Sequence, residues 1–500
     1  MRNQCNLFYA DTTAANFLIK YRGDFLEQMS KVSYACGTVI IDTIGIIAVT
    51  YENLDRLIKD VPAISYVDIR AEFVLQDLSP SYADNINNIK LNPYLNLTGR
   101  NVIVGIIDTG INYLNDEFIN EDGTSRILSI WDQSIPYDSN KEDSIIENQN
   151  ISPLVSSENT TIENTTSKST LIPLDLINKK VPQSIFDNVF SSTFQSPSES
   201  DSSKDADEDF SNIKDLNKLY NNLYIGTVYS KENINDAIKA FEKKEDPYAI
   251  VPSKDTIGHG TKVASIIAAR GKNLDLQGVA NGSDLVIVKL FESLNLKKVA
   301  ESNNIVPPPI YNNSELVSAL EFLKSEFIRL NRPMVIYIGI GSTYGSHDGI
   351  NLTSRYITNL GNTKGLCIVS GVGNEGNAQG HVTGIIRNVG DLSTQELRVP
   401  KELKLFSFNI WIQRPNKASI AIISPSGEST KIITSKSNKS ESYNFVFTNT
   451  KVIVEYFTPE HFTGHELINV AFFNIKPGIW RIELLGVYIV GGRYDIWLPP

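Results

Sequence analysis

Asn101-Val102-Ile103-Val104-Gly105-Ile106-Ile107-Asp108-Thr109-Gly110 is the stretch on which the fold turns. From Val102 to Ile107 it is apolar on both alternating faces. A strand that offers water neither face belongs inside a parallel sheet. It ends on a carboxylate, at the strand end where open α/β sheets place their sites. Similar runs recur at residues 285–290, 334–339 and 366–369, with helical stretches at 261–270 and 314–330 between them. Strands alternating with helices predict an α/β fold built on a parallel sheet with flanking helices.

Working outward, 500 residues exceed one compact domain, since a soft prior is about 150 residues per unit. Residues 1–78 read as a small α+β unit. Within it, 38–50 supplies strands and Thr50 stands where a helix N-cap would. Leu54, Leu57 and Ile58 then give a short apolar face, which Pro62 ends. Residues 79–395 carry the α/β pattern, interrupted at 134–212 by a Ser-, Thr-, Asn- and acid-rich stretch that reads as a solvated insertion or, alternatively, as an acidic docking loop for a basic partner or for cations. Residues 396–500 change texture: short alternating strands at 405–412, 418–423, 451–457 and 479–485, punctuated by turns, predict an all-β module. Its Trp411, Trp480 and Trp497 are either core residues or a stacking platform for a glycan.

Composition excludes several functions. Lys and Arg number 46 against 57 Asp and Glu, a net charge of −11, so no global positive excess favours nucleic acid. No run of 18 apolar residues predicts a membrane span. The N-terminus lacks a secretory pattern, so synthesis in the cytoplasm is expected. Three distant cysteines, Cys5, Cys36 and Cys367, predict neither a disulfide framework nor a zinc site.

Three residues could carry chemistry. Asp108, in Asp-Thr-Gly, is either a strand-end cap or a functional carboxylate; the triplet also occurs in aspartic proteases. His259 lies between glycines in Gly258-His259-Gly260-Thr261, at the start of an apolar helix, where an uncrowded imidazole can act as a general base. Its bland alternative is a plain helix start. Asn374, in Gly373-Asn374-Glu375-Gly376, either donates to a developing oxyanion or occupies a left-handed turn.

In this order and context, the three motifs together resemble the subtilisin-like serine proteases. Finer features resemble the Csp-type germination proteases of clostridial spore formers: Leu97-Thr98-Gly99-Arg100, the segments 126–133 and 225–229, Val251-Pro252-Ser253-Lys254-Asp255, and Gly345-Ser346-His347-Asp348-Gly349. The resemblance implies that Asp108 orients the imidazole, His259 is the base and Asn374 is the oxyanion donor. It makes Gly339, Ile340 and Gly341 the strand that pairs with an extended substrate. The same resemblance makes residues 1–78 a propeptide whose tail, near 74–79, plugs the site, and the β module a jelly-roll insertion. It also implies a protein substrate, in this group a cortex hydrolase zymogen, and a location in the spore.

The nucleophile of that family sits in a Gly-Thr-Ser-x-Ala-x-Pro motif opening a helix, and residues 1–500 contain none. Ser342 and Ser370 lie nearest the matched segments but not on such a turn. The 500 residues are therefore expected to form no acyl-enzyme. The enzyme is one reading; the other is a pseudoprotease that signals or scaffolds in germination. No cofactor is expected. Calcium is common in folds of this kind, yet no carboxylate spacing assigns it a site.

Overall fold

The computed structural model describes residues 12–41, 43–68, 71–75, 97–137, 220, 223, 225–273, 276–306 and 308–499. The acidic stretch at 134–212 lies outside them beyond residue 137. The chain divides into two compact units, one holding the N-terminal sheet as far as Val67 and one running from Asp68 through most of the rest.

In the N-terminal unit, β1 (Ala14–Tyr21), β2 (Ala35–Ile41), β3 (Ile44–Thr50) and β4 (Ile64–Val67) form an antiparallel sheet in the order β2-β3-β1-β4. The helix Tyr51–Asp60 begins after Thr50, whose backbone is extended as an N-cap requires. Its hydroxyl, however, accepts from the Asn53 amide at 2.9 Å rather than from a backbone N–H. The helix buries Leu57 and Ile58 in a core with Phe17, Ile19 and Ile47. Cys36 is disulfide-bonded, which corrects the expectation from cysteine spacing. Cys367 is a free, exposed thiol.

The second unit opens with β5 (Glu72–Leu75). Its central sheet combines β6 (Ile103–Asp108), β7 (Ile127–Asp132), β8 (Thr227–Ser230), β9 (Asp284–Lys289), β11 (Met334–Ile338) and β13 (Leu366–Ser370), in the order β13-β11-β6-β9-β7-β8. Two short strands, β10 (Tyr311–Asn312) and β12 (Ile340–Gly341), stand outside this sheet. β6 is paired in parallel with β11 and with β9, and all six of its residues are buried. That is the arrangement its apolar run demands. Gly105 has a packing reason: a Cβ there would come within 2.9 Å of Leu323 on the helix Asn313–Leu330. Without one, helix and sheet close tightly over β6.

The helix Lys231–Glu242 starts on a capping box. The Ser230 hydroxyl accepts from the Asn233 N–H, and the Asn233 side chain accepts from the Ser230 N–H.

The all-β region is built from β14 (His381–Ile385), β15 (Leu392–Val399), β16 (Leu403–Ile412), β17 (Lys417–Ile423), β18 (Ser440–Phe445), β19 (Thr450–Phe457), β20 (Glu466–Ile475), β21 (Gly478–Tyr488) and β22 (Arg493–Trp497). They form two antiparallel sheets, β14-β22-β16-β20-β19-β18 and β15-β21-β17. Strand pairing thus begins at His381, before residue 396. Ile410, Ile420, Val454, Phe472 and Trp480 belong to one buried cluster.

The tryptophans offer no free stacking face. Trp480 is fully buried and Trp411 nearly so. Trp497 is sandwiched between His347, at 3.8 Å, and His381, at 3.5 Å. The loop after β12 is also tied to this region by Thr343 Oγ1, which donates to Leu498 O at 2.8 Å, and by Asp348, which pairs with His465 Nε2 at 2.8 Å.

Trp480 fills the β core, meeting Phe445 and Phe472 edge-on at 5.1 and 5.2 Å, with its Nε1–H donating to Lys476 O. Trp480→Ala should cost about 3–5 kcal/mol by the cavity it leaves. Denaturant unfolding of the variant checks this; a loss below about 1 kcal/mol would contradict the packing described.

Candidate active site

β6 delivers Asp108 to the carboxyl edge of the sheet, where its side chain is wholly buried. The adjacent Thr109 N–H donates to Asp108 Oδ1 at 2.7 Å. From 151 residues away, the His259 ring brings Nδ1 to the same oxygen, also at 2.7 Å. The local sequence explains the approach. His259 is the first residue of the helix His259–Ala268, and the preceding Gly258 has φ +82°, a left-handed conformation natural to glycine. Gly260 is equally constrained: a Cβ would fall 2.2 Å from Gly110 O. The histidine is neither a plain helix start nor a core residue, since its ring is held against a buried carboxylate with 13% of the side chain exposed.

Burial pushes the Asp108 carboxyl above its ordinary range. The hydrogen bond and charge of His259 and the Thr109 N–H pull it back, while Asp255 pushes it up further. Asp108 Oδ2 has no hydrogen-bond partner among the described residues. Gly339 stands against it, and a Cβ at that position would lie 2.0 Å from Oδ2. A histidine held this way, with one ring nitrogen fixed by a carboxylate, can accept a proton at the other.

Gly339 donates its N–H to Ile107 O at 3.0 Å, which aligns the end of β11 with β6. The next two residues, Ile340 and Gly341, pair antiparallel with Leu75 and Val74. On the other side of the same segment, Tyr311 and Asn312 pair with Phe73 and Glu72. A three-stranded sheet, β10-β5-β12, therefore holds Glu72–Leu75 as its middle strand. Asn374 Nδ2 donates to Leu75 O at 3.3 Å. With φ −105°, Asn374 does not occupy the left-handed turn that was its bland alternative. Residues 76–79 of the expected tail lie outside the described residues. Ser370 ends β13 and Ser342 follows β12, where its Oγ accepts from the Tyr344 N–H; neither opens a helix.

Sequence reasoning missed two contributors. The strand Tyr311–Asn312 is two residues long, too short for any periodicity to register. Asp255 was visible four residues before His259, but nothing in the sequence states what its carboxylate touches. No group of three or more His, Cys, Asp or Glu among the described residues could hold a metal ion.

The model of the subtilase family matches residues 99–440, which span Asp108, His259, the Ile340–Gly341 strand and Asn374. This chain belongs to the subtilase family. Among solved structures, the Clostridium perfringens CspB protease is similar at 25% identity with a TM-score of 0.55, over 83% of this chain and 66% of that chain. The subtilase described here thus spans about two thirds of that protein's length. A cycloisomaltooligosaccharide glucanotransferase of Paenibacillus sp. overlaps 33% of the chain and 24% of its own at 13% identity and a TM-score of 0.14, too low to bear on function. No curated protein sequence matches the chain. No helix among the described residues is long and apolar enough to cross a membrane.

Two substitutions follow from this geometry. Because burial raises Asp108, the folded chain holds its proton more tightly than the unfolded one. The ionised form therefore costs stability once pH passes the usual carboxylate range. Asp108→Asn should raise Tm at pH 7, read by thermal unfolding of the variant beside the parent chain. The gain should shrink at acid pH, where the native carboxyl is protonated too. A lower Tm at pH 7 would contradict the assignment of Asp108 as a site that costs stability. Gly339→Ala should cost about 1–3 kcal/mol by overpacking against Asp108, measured by denaturant unfolding; a neutral result would contradict the close approach.

Proposed function

We propose that this subtilase is a serine endopeptidase of limited proteolysis that activates a cortex hydrolase during spore germination. The observation that carries the reading is the 2.7 Å bond between His259 Nδ1 and buried Asp108 beside an occupied peptide groove. Asp108 orients the imidazole and stabilises its charged form. His259 takes the proton from a serine hydroxyl at Nε2 and returns it to the leaving amine. Asn374 donates its side-chain N–H to the oxygen on which negative charge develops. Ile340 and Gly341 hold the substrate by strand addition, so the backbone supplies affinity and side-chain pockets supply selectivity. No Gly-Thr-Ser-x-Ala-x-Pro motif occurs in residues 1–500, so the enzyme reading requires a serine outside them. The germination role rests on the likeness to the CspB protease.

In the same reading, residues 1–78 are a propeptide and Glu72–Leu75 is its tail, lying in the groove as a substrate would. The antiparallel pairing with β12 and the bond from Asn374 to Leu75 O support this. The β region is a jelly-roll insertion. The second reading, a pseudoprotease acting as a germination signal or scaffold, keeps the groove and the tail but performs no cleavage.

A serine-directed fluorophosphonate probe should leave a polypeptide of residues 1–500 unlabelled, with its N-terminus intact; stoichiometric labelling would overturn the claim. A polypeptide that also carries a Gly-Thr-Ser nucleophile should be labelled, show a new N-terminus between Gln76 and Ser79, and release one defined fragment from a cortex hydrolase zymogen. His259→Ala should abolish all three. No labelling and no cleavage by that longer polypeptide would favour the pseudoprotease.

A further inference from the structure

We propose that Asp255 is the positioning residue of the catalytic pair: its carboxylate orients two threonine hydroxyls that lock the Asp108 loop to the start of the His259 helix. This rests on reading Asp108 and His259 as the catalytic pair.

The carboxylate of Asp255 accepts four hydrogen bonds. Oδ1 receives the Thr109 hydroxyl at 2.8 Å and the Gly258 N–H at 2.7 Å. Oδ2 receives the Thr261 N–H at 2.8 Å and the Thr261 hydroxyl at 2.6 Å. Each hydroxyl then uses its lone pairs on a backbone N–H across the gap between the two segments. Thr109 Oγ1, beside Asp108, accepts from Gly260 N at 2.9 Å, beside His259. Thr261 Oγ1, on the helix, accepts from Asn112 N at 2.9 Å, on the Asp108 loop. Two hydroxyl bridges therefore join the segments, and both send their single proton to Asp255.

The direction of those protons matters. A hydroxyl has one proton and two acceptor lone pairs, and it can accept from a backbone N–H only if its own proton goes elsewhere. An ionised carboxylate accepts and never donates, so it fixes both hydroxyls in the orientation the bridges need. Burial would raise the Asp255 carboxyl, but its four donors hold it below the ordinary range, so it remains ionised at neutral pH. An asparagine could not substitute. Each carboxylate oxygen faces a backbone N–H, Gly258 on one side and Thr261 on the other, so an NH2 group would meet a donor in either orientation. Gly260 passes too close to Gly110 O for a Cβ to fit, so the segments have little room to re-dock. A shift of about 1 Å in such a pair can cost on the order of 100-fold in rate.

The test reads the histidine directly and needs no nucleophile. In residues 1–500, a carboxylate-bonded His259 Nδ1–H should give a low-field proton resonance by NMR, assigned by its loss in His259→Gln. Asp255→Asn and Thr109→Val should abolish or broaden it, while Thr109→Ser, which restores the hydroxyl, should keep it. Ser253→Ala provides the structural control. Its hydroxyl bonds to Asp132 at 2.7 Å in the same loop, so the variant should lose stability yet keep the resonance. If Asp255→Asn fails to fold, the Thr109 valine and serine pair decides. Folded Asp255→Asn or Thr109→Val protein with an unchanged resonance would overturn the proposal, as would equal loss in Ser253→Ala. Absence of the resonance in the parent chain would instead overturn the Asp108–His259 reading beneath it.

Discussion

The bond between His259 Nδ1 and Asp108 Oδ1 is the constraint around which the α/β unit is arranged. A carboxylate with no exposed surface is costly to ionise, and only converging donors make it tolerable. The fold provides two of them. β6 carries Asp108 to the sheet edge, Thr109 turns its own N–H back, and the helix starting at His259 arrives from across the edge. Glycines at 258, 260 and 339 remove the Cβ atoms or strained backbone that would keep these segments apart. The site is thus assembled by close backbone approach more than by long side chains.

The second consequence of the same geometry is a three-stranded pairing of extended backbone beside the Asp108–His259 pair. Gly339 bonds to Ile107, and the chain leaves the parallel sheet at once to offer Ile340 and Gly341 to another strand. Tyr311–Asn312 supplies the opposite wall. Glu72–Leu75 fits between them because an extended segment satisfies its N–H and C=O groups on both sides. If Ile340–Gly341 is the substrate strand, as proposed above, the segment paired with it blocks that strand, which fits either a latent enzyme or a non-cleaving relative.

Much of this was legible before any coordinates. The apolar runs marked the core strands because burial on both faces leaves no polar alternation to confuse the pattern. The meeting of Asp108 with His259 was legible in outline because a close approach between a strand end and a helix start requires particular neighbours, chiefly glycine. What stayed hidden depended on pairing across long separations. The two-residue strand at Tyr311 has no period to detect, the disulfide of Cys36 has no local spacing, and the hub role of Asp255 exists only after folding. Trp497 was ambiguous for a related reason: alternation says which face a residue takes, not that His347 and His381 will cover both sides of it.

The central claim is that Glu72–Leu75 lies as a strand in the groove beside an Asp108–His259 pair. Hydrogen exchange at single-residue resolution tests it most directly, with Val74→Pro as the comparison because proline removes the ladder donor at the centre of the tail. The parent chain should protect amides of the Tyr311–Asn312 and Ile340–Gly341 strands, and Val74→Pro should release them while β6 and β9 stay protected. Fast exchange at both short strands in the parent chain, with the central sheet protected, would contradict the account.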